Sequence, residues 1–182
     1  MIRHLKNNLN FKKWKNQGFT LIETFVAITV LMIVVIGPLS VLTKMISDGL
    51  FAQNQITASY LAQEGMDMII NIRDTYTQSE GQDYDPFQNL NIVNCFFPQL
   101  CIVDYTGGQV KIQDSVSDYY LYQNLAGEYS HSPMGAKTVF ERKIWFTQSG
   151  LNPDEIKVFV QVNWKNKNVD AQPLVISRLL YK

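Results

Sequence analysis

The sequence contains few residues of the kinds that build metal centres and catalytic sites. There are two cysteines and two histidines in 182 residues, which excludes a cysteine-rich scaffold and a four-cysteine zinc site. It also has no P-loop, no dinucleotide-binding glycine fingerprint and no G-x-S-x-G motif. We therefore predict no enzymatic activity, no metal and no cofactor. The function must be sought in how apolar and charged residues are distributed.

Charge is balanced in total but not along the chain. Sixteen Lys and Arg offset sixteen Asp and Glu, so the formal net charge is zero. The first 18 residues contain five of the bases and no acid, which leaves 11 bases against 16 acids, a net charge of −5, on residues 19–182. Phosphate binding needs clustered bases, so this excess of acid argues against direct nucleic-acid binding.

A long run without charge follows the basic segment. Residues 24–43 contain no charged side chain, and 20 helical residues span about 30 Å, the thickness of a bilayer core. A cleaved secretory signal would have a shorter apolar core and a small-x-small site after it, and the following TKMISDGLF contains no such site. We therefore predict a retained membrane-spanning helix over 19–44. The basic segment before it predicts a cytoplasmic N-terminus.

A short motif lies between the basic segment and the apolar run. Gly18 is followed by Phe19-Thr20-Leu21-Ile22-Glu23. In this context the motif resembles the class III signal of type IV prepilins and pseudopilins, most closely over residues 1–45, and more weakly in the C-terminal half. The resemblance implies that a prepilin peptidase/N-methyltransferase removes a leader, 1–18, by cutting between Gly18 and Phe19. It also implies methylation of the new Phe19 amine.

Two residues in and beside the apolar run are unusual for a plain membrane anchor. A carboxylate such as Glu23 is costly near lipid unless it is neutralised, and the resemblance implies that it faces the Phe19 amine of a neighbouring subunit during assembly. Pro38 lacks an N–H and predicts a helix kink, two residues short of the family's usual helix-breaking proline. An interfacial charge and a tolerated transmembrane proline are the alternatives.

Helical periodicity continues beyond the apolar run. No proline lies between Pro38 and Pro86, and apolar residues recur every three or four positions over 58–72. We expect one helix from Phe19 to roughly residue 75, about 85 Å long at 1.5 Å per residue. An irregular segment is expected over 76–107.

The C-terminal half has strand periodicity. We predict strands over 109–116, 118–125, 138–147, 156–164 and 174–181, the last two as an antiparallel hairpin. Arg142 interrupts the apolar face of the third strand. The predicted fold class is α+β: a long N-terminal α-helix, membrane-spanning in its first half, packed through its second half on a C-terminal antiparallel β-sheet head over 45–182.

Two features of the sequence could form a disulfide or bind a metal ion: the pair of cysteines and an acidic turn. Cys95 and Cys101 are separated by five residues and would lie beyond the membrane in an oxidising environment, so we predict a disulfide, with two buried free cysteines as the alternative. A calcium site could use Glu80, Asp83, Asp85 and Asp104, but their spacing matches no loop signature, and a solvated acidic turn is favoured.

Histidine and tyrosine offer little sign of chemistry. His131 is the only histidine after the leader and lies in GEYSHSPMGAK, which predicts a bland surface loop. A group of tyrosines could form a sticky patch, although packing between strands is favoured: Tyr119, Tyr120, Tyr122 and Tyr129.

The leading functional hypothesis is a structural subunit, a minor pilin or pseudopilin, of a type IV pilus or type II secretion-like filament. It implies a single-pass inner-membrane protein that later joins a cell-surface or periplasmic filament. The implied partners are the prepilin peptidase, other pilin subunits and the membrane platform of the assembly machine, with no small-molecule substrate. Adhesion, motility, secretion and DNA uptake stay open. The alternatives are a signal-anchored surface binding protein that never polymerises and a membrane-tethered enzyme.

Overall fold

A computed structural model describes residues 18–80, 92–106, 109–114, 118–148, 154–166, 169–170 and 173–181. Contacts divide the chain into two units, which we call the N-terminal unit (Met1–Ser47) and the head unit (Asp48–Lys182). One helix, α1, covers Leu21–Glu80 and contributes to both units. It begins two residues later and ends five residues later than the sequence pattern predicts.

The start of α1 follows from local chemistry. The backbone N–H of Glu23 donates to the Thr20 side-chain oxygen at 3.3 Å and to the Thr20 carbonyl at 3.0 Å, so Thr20 caps the first turn. Hydroxyl groups in the apolar run are satisfied inside the helix, because each donates to the carbonyl three residues earlier: Thr24, Thr29, Ser40 and Thr43. The run therefore offers its surroundings little hydrogen-bonding capacity.

The apolar part of α1 meets the length and composition of a membrane span. It contains an 18-residue window with a mean hydropathy of 2.7, none of which is buried inside the structure. Within the described residues, α1 is the one helix long and apolar enough to cross a bilayer. These properties are consistent with a single-pass membrane protein.

The head unit is built on an antiparallel sheet. Its strands are β1 (Ile102–Thr106), β2 (Gln109–Gln113), β3 (Tyr120–Gln123), β4 (Tyr129–Ser130), β5 (Ala136–Gln148), β6 (Glu155–Asn166), β7 (Val169–Asp170) and β8 (Leu174–Tyr181). The main sheet has the order β4-β3-β5-β6-β7, and β8 also pairs with β6. β1 and β2 form a separate antiparallel pair.

The predicted C-terminal hairpin is present. β6 and β8 pair antiparallel from Glu155↔Tyr181 to Val162↔Leu174. β5 and β6 pair from Phe140↔Trp164 to Gln148↔Ile156, which places these two long strands at the centre of the sheet. All five predicted strands have a counterpart: β8 has the predicted ends, and the other four differ from the prediction at one or both ends.

The segment over 76–107 was predicted irregular, and part of that prediction is wrong. Its end forms a short 3₁₀ helix, Ile92–Cys95, and the strand β1. The sequence pattern does not predict β1, because aspartates such as Asp104 are typical of turns. In the structure Asp104 lies within the strand and is only 6% exposed. Tertiary hydrogen bonding, described below, overrides this local signal.

One core joins the second half of α1 to the sheet. The predicted stripe on α1 is buried, namely Ala58, Leu61, Ala62, Gly65, Ile69 and Ile72, and Met66 beside it is buried as well. It packs with the inward side chains of the central strands, including Phe140, Ile144, Phe146, Val158, Val160 and Val162. Each large apolar side chain buried in this way contributes about 1.5–3 kcal/mol. The structure thus has the predicted α+β architecture, a long N-terminal helix packed on an antiparallel sheet.

The two cysteines lie inside this core. Cys95 and Cys101 form a disulfide, with 5.6 Å between their Cα atoms, and neither is exposed. Cys101 also exchanges two backbone hydrogen bonds with Ile144 of β5, each 2.9 Å long. Backbone hydrogen bonds therefore hold the disulfide loop against the central sheet.

Candidate functional site

The residues of the predicted processing motif precede and begin α1. Gly18, Phe19 and Thr20 lie before the helix, and Phe19 is 80% exposed. A Cβ atom added to Gly18 would meet no atom within 4 Å. The local fold therefore does not require glycine at this position.

A glycine in the head unit provides the contrast. A Cβ atom on Gly65 would lie 3.1 Å from Arg142 Cδ and 3.2 Å from Val160 Cγ1. These distances are shorter than ordinary contacts, so the buried Arg142 and Val160 side chains would have to move by a few tenths of an ångström to accept a larger residue. A requirement for Gly18 would instead come from a partner that closes on the backbone.

Glu23 lies exposed in the first turn of α1. A carboxylate there interacts favourably with the positive end of the helix dipole. Thr20 and Glu23 also have the spacing of a capping box, of which the structure forms the half donated by the Glu23 N–H. Glu23 thus also stabilises the start of α1, apart from any role in assembly.

The apolar part of α1 is exposed on every side. In its first 26 residues the large apolar side chains range from 49% exposed at Val35 to 87% at Leu21. A helix that is apolar all round is stable only in lipid or among other helices. This apolar surface therefore needs a lipid or protein environment that shields it from water.

The helix assignment continues through Pro38 without a break. The Ser40 hydroxyl donates to the Gly37 carbonyl at 2.8 Å, beside the proline. A kink at Pro38 stays a prediction.

Arg142 interrupts the apolar face of β5, as the sequence pattern indicates. It lies on the inward face of β5 and is fully buried. Its Nη1 donates to Glu64 Oε2 at 2.8 Å and to the Leu61 carbonyl at 3.3 Å, and its Nη2 donates to the Val103 carbonyl at 3.1 Å. Burial lowers the pKa of Arg142, and the Glu64 carboxylate opposes that shift. One guanidinium thus joins α1, β1 and β5.

His131 is not the surface residue that the sequence predicts. It is half-buried, its backbone N–H donates to Asp104 Oδ2 at 2.9 Å, and its Nε2 lies 3.3 Å from the Arg142 carbonyl oxygen. Burial, and then the charge of Arg142, lower the pKa of His131 to about 4. Its imidazole is therefore neutral at pH 7, next to the guanidinium.

The tyrosines make the packing contacts that the sequence favours. Tyr129 packs edge-on against Phe140 with 6.2 Å between ring centroids. Lys137 Nζ lies 3.4 Å from the centroid of the Tyr120 ring, and Lys143 Nζ lies 5.0 Å from that of Tyr119. Tyr122 donates its hydroxyl to Asp118 Oδ2 at 3.3 Å.

The alternative calcium site cannot be assembled from the described part of the chain. Asp83 and Asp85 lie outside the described residues, as does the side chain of Glu80. Among the residues that are described, no group of three His, Cys, Asp or Glu side chains could hold a metal ion. Asp104 is instead a hydrogen-bond acceptor for the His131 backbone.

These observations define a class: an α+β protein whose described residues include one helix that could span a membrane. Comparison with known proteins adds no narrower identity. No family model, curated protein or solved structure matches the chain.

Proposed function

We propose that this protein is a minor pilin or pseudopilin, a structural subunit of a type IV pilus or type II secretion-like filament. The observation that carries the proposal is a juxtaposition. The motif Gly18-Phe19-Thr20-Leu21-Ile22-Glu23 spans the start of a helix whose first part is apolar on all sides and whose second part is the core helix of the head.

The geometry around Gly18 suits proteolysis. The bond between Gly18 and Phe19 lies outside the helix, and both residues are exposed. A protease needs an extended backbone at the bond that it cuts, and a glycine lets it approach closely. Cleavage removes the +5 leader, so the mature subunit leaves the membrane without moving five cations through lipid.

The mature N-terminus would then supply a partner for Glu23. Cleavage creates a cationic amine on Phe19 in an apolar surrounding, where an unpaired charge costs several kcal/mol. Glu23 of one subunit facing the Phe19 amine of its neighbour lowers the cost for both groups. The same pairing sets the axial position of each subunit in the filament.

Location and partners follow from this sequence of events. The precursor lies in the inner membrane with residues 1–18 in the cytoplasm, where the prepilin peptidase/N-methyltransferase acts. The mature subunit then meets other pilin subunits and the membrane platform of the assembly machine. Its apolar helix exchanges lipid for neighbouring helices in a surface or periplasmic filament, with no chemical reaction in the head.

Mass spectrometry and N-terminal sequencing test the first step. The full chain is produced in membranes with and without a prepilin peptidase. We expect loss of residues 1–18 only when the peptidase is present, with Phe19 as the new first residue and one added methyl group. An intact Met1, or a cut beyond residue 44, would overturn the proposal.

The second step is tested with Glu23→Ala. We expect nearly normal cleavage but no incorporation into filaments, measured by immunoblotting of sheared filaments. Glu23→Gln is the matched control for the loss of charge alone and should also fail to assemble. Wild-type incorporation of either variant would contradict the assembly role of Glu23.

The second candidate function is a signal-anchored surface binding protein that never polymerises. The capping geometry favours it in one respect, since Thr20 and Glu23 stabilise the helix start without any neighbouring subunit. Processed chains that never enter a filament would support this function, as would an intact N-terminus.

A further inference from the structure

The head unit contains a cleft that neither cleavage nor filament assembly uses. Its volume is about 910 Å³, and it lies between α1, the β1–β2 pair and the turn before β4. Binding sites in proteins have volumes of about 300–1,000 Å³. The cleft is therefore large enough to bind a ligand or a peptide segment.

Two aromatic rings in the lining are unusually exposed. Tyr60 of α1 is 68% exposed and Tyr105 of β1 is 62% exposed. Core packing does not account for the presence of tyrosine at these two positions. Tyr129 lines the same cleft, but its ring packs against Phe140. Because both rings are open to solvent, the cleft would leave much of a small molecule uncovered, whereas an extended chain can lie along it.

The charge of the lining has one sign. Three carboxylates contribute to it, Glu64, Asp67 and Glu128, and the lining residues that the structure describes include no Lys or Arg. The buried Arg142 already matches the charge of Glu64. Asp67 and Glu128 have no ion-pair partner among the described residues, which leaves a net charge of −2 in the cleft.

One of these carboxylates is held in place. Asn124 Nδ2 donates to Glu128 Oε2 at 2.8 Å, and the Asn124 side-chain oxygen accepts from the Glu128 N–H at 3.0 Å. Gly127, with φ of +88°, makes the tight turn that brings Glu128 to the cleft. Positioning a carboxylate before binding reduces the entropy lost when a cation arrives.

We propose that this cleft binds an extended peptide segment of a partner protein through a lysine or arginine side chain. Asp67 and Glu128 pair with the cationic group, while Tyr60 and Tyr105 pack on its aliphatic stem and make cation–π contacts. Charge complementarity and the exposed rings together select this occupant. The inference concerns the head alone and holds whether or not the chain forms filaments.

Fluorescence anisotropy with defined peptides tests the proposal. The full chain is kept in maltoside micelles, whose head groups carry no cation that could compete. The probe is fluorescein-labelled GRGKGRG, and its matched neutral form replaces each arginine with citrulline and the lysine with acetyl-lysine. We expect saturable binding of the basic probe that weakens with added salt, and no binding of the neutral one.

Variants locate the binding. Asp67→Asn with Glu128→Gln should weaken binding about five- to tenfold, the effect of losing two partly exposed ion pairs. Tyr60→Leu with Tyr105→Leu should weaken it about fivefold through lost cation–π contacts. The matched controls change residues outside the lining: Asp48→Asn with Asp118→Asn for charge, and Tyr181→Leu for an exposed ring.

Several outcomes would overturn the proposal. They are no binding of the basic probe, equal loss in the cleft variants and their controls, and equally tight binding of free arginine methyl ester, which would identify a small-cation site instead. Circular dichroism of every variant verifies the fold. Cleavage by the prepilin peptidase, measured separately, distinguishes failure of this proposal from failure of the filament proposal.

Discussion

In the N-terminal unit the apolar side chains of α1 are exposed on all sides, whereas in the head unit one stripe of the same helix is buried against a sheet. The two parts also differ in their polar groups. The hydroxyls of the first part bond back to their own helix, while the head carries a buried guanidinium bonded to α1 and β1. One helix thus combines a surface that needs an external apolar environment with a surface whose partners lie in the same chain. Processing variants should therefore leave the head stable, and core variants should leave processing intact.

The largest expected effect comes from substituting one glycine in each part, Gly18 in the N-terminal unit and Gly65 in the head unit. Gly18→Leu should abolish cleavage and leave the stability of the head unchanged, because Gly18 lies outside the head unit and a Cβ atom there meets no atom within 4 Å. Gly65→Leu should destabilise the head by about 1–3 kcal/mol, the cost of overpacking, and leave cleavage intact. Mass spectrometry reports the first property, and urea unfolding followed by tryptophan fluorescence reports the second. If Gly18→Leu destabilised the head, the expectation that processing and head stability are independent would be contradicted.

Arg142→Met should have the next largest effect. The variant keeps much of the side-chain volume but removes the Arg142 donors to the Leu61 and Val103 carbonyls, and losing hydrogen bonds from a buried charged group costs about 1–3 kcal/mol. The Glu64 side chain is 42% exposed and can turn towards water, which limits its share of the loss. The urea midpoint measures the change, and Lys157→Met, an outward change on β6, is the control. An unchanged midpoint would show that the guanidinium is not needed for stability.

Loss of the disulfide should have a somewhat smaller effect. Cys95→Ala with Cys101→Ala frees a short loop, and disulfides of this kind contribute about 2 kcal/mol. The backbone bonds between Cys101 and Ile144 remain available, so the fold should survive with a lower thermal midpoint. Differential scanning calorimetry with and without a reductant measures this difference. Equal midpoints for the wild type in both conditions would contradict it.

The smallest expected effect is a dependence of head stability on pH. The pKa of His131 is lowered from its ordinary 6.5 to about 4 in the folded chain, so the unfolded chain binds more protons between these values. Stability should therefore fall as the pH decreases below about 6.5, by about 1 kcal/mol at about pH 5.5. His131→Asn should remove that part of the slope in urea unfolding series. Identical slopes in the wild type and the variant would exclude His131 as its source.

Several structural features could be predicted because their signals are local. The apolar run, the helical stripe over 58–72 and the alternation over 156–164 each depend on neighbouring residues, and each appears in the structure. The prediction failed where distant contacts outweigh local signals. The sequence places Arg142 on the apolar face of its strand, but it does not show that Glu64 and the carbonyls of two other elements surround the guanidinium. Asp104 looks like a turn residue until the His131 backbone binds its carboxylate.

The candidate sites divide in the same way. The processing motif is contiguous, so residue identity and spacing alone suggest its chemistry, and the structure adds that Gly18 is free of packing constraints. The cleft could not be predicted, because Tyr60, Tyr105 and Glu128 are far apart in sequence and meet only through the packing of α1, β1 and the turn before β4. Exposed tyrosines and scattered acids have no distinctive sequence pattern.

The sequence by itself therefore determined the separation of the basic first 18 residues from the acidic remainder, the length of the apolar helix and the α+β class, because charge, helical period and strand alternation are properties of neighbouring residues. Only the tertiary structure decided that Arg142 lies in the core, that His131 is half-buried beside it and that a net charge of −2 collects in an aromatic cleft. The physical reason is that burial and electrostatic pairing depend on distances across the fold, which the order of residues does not specify directly.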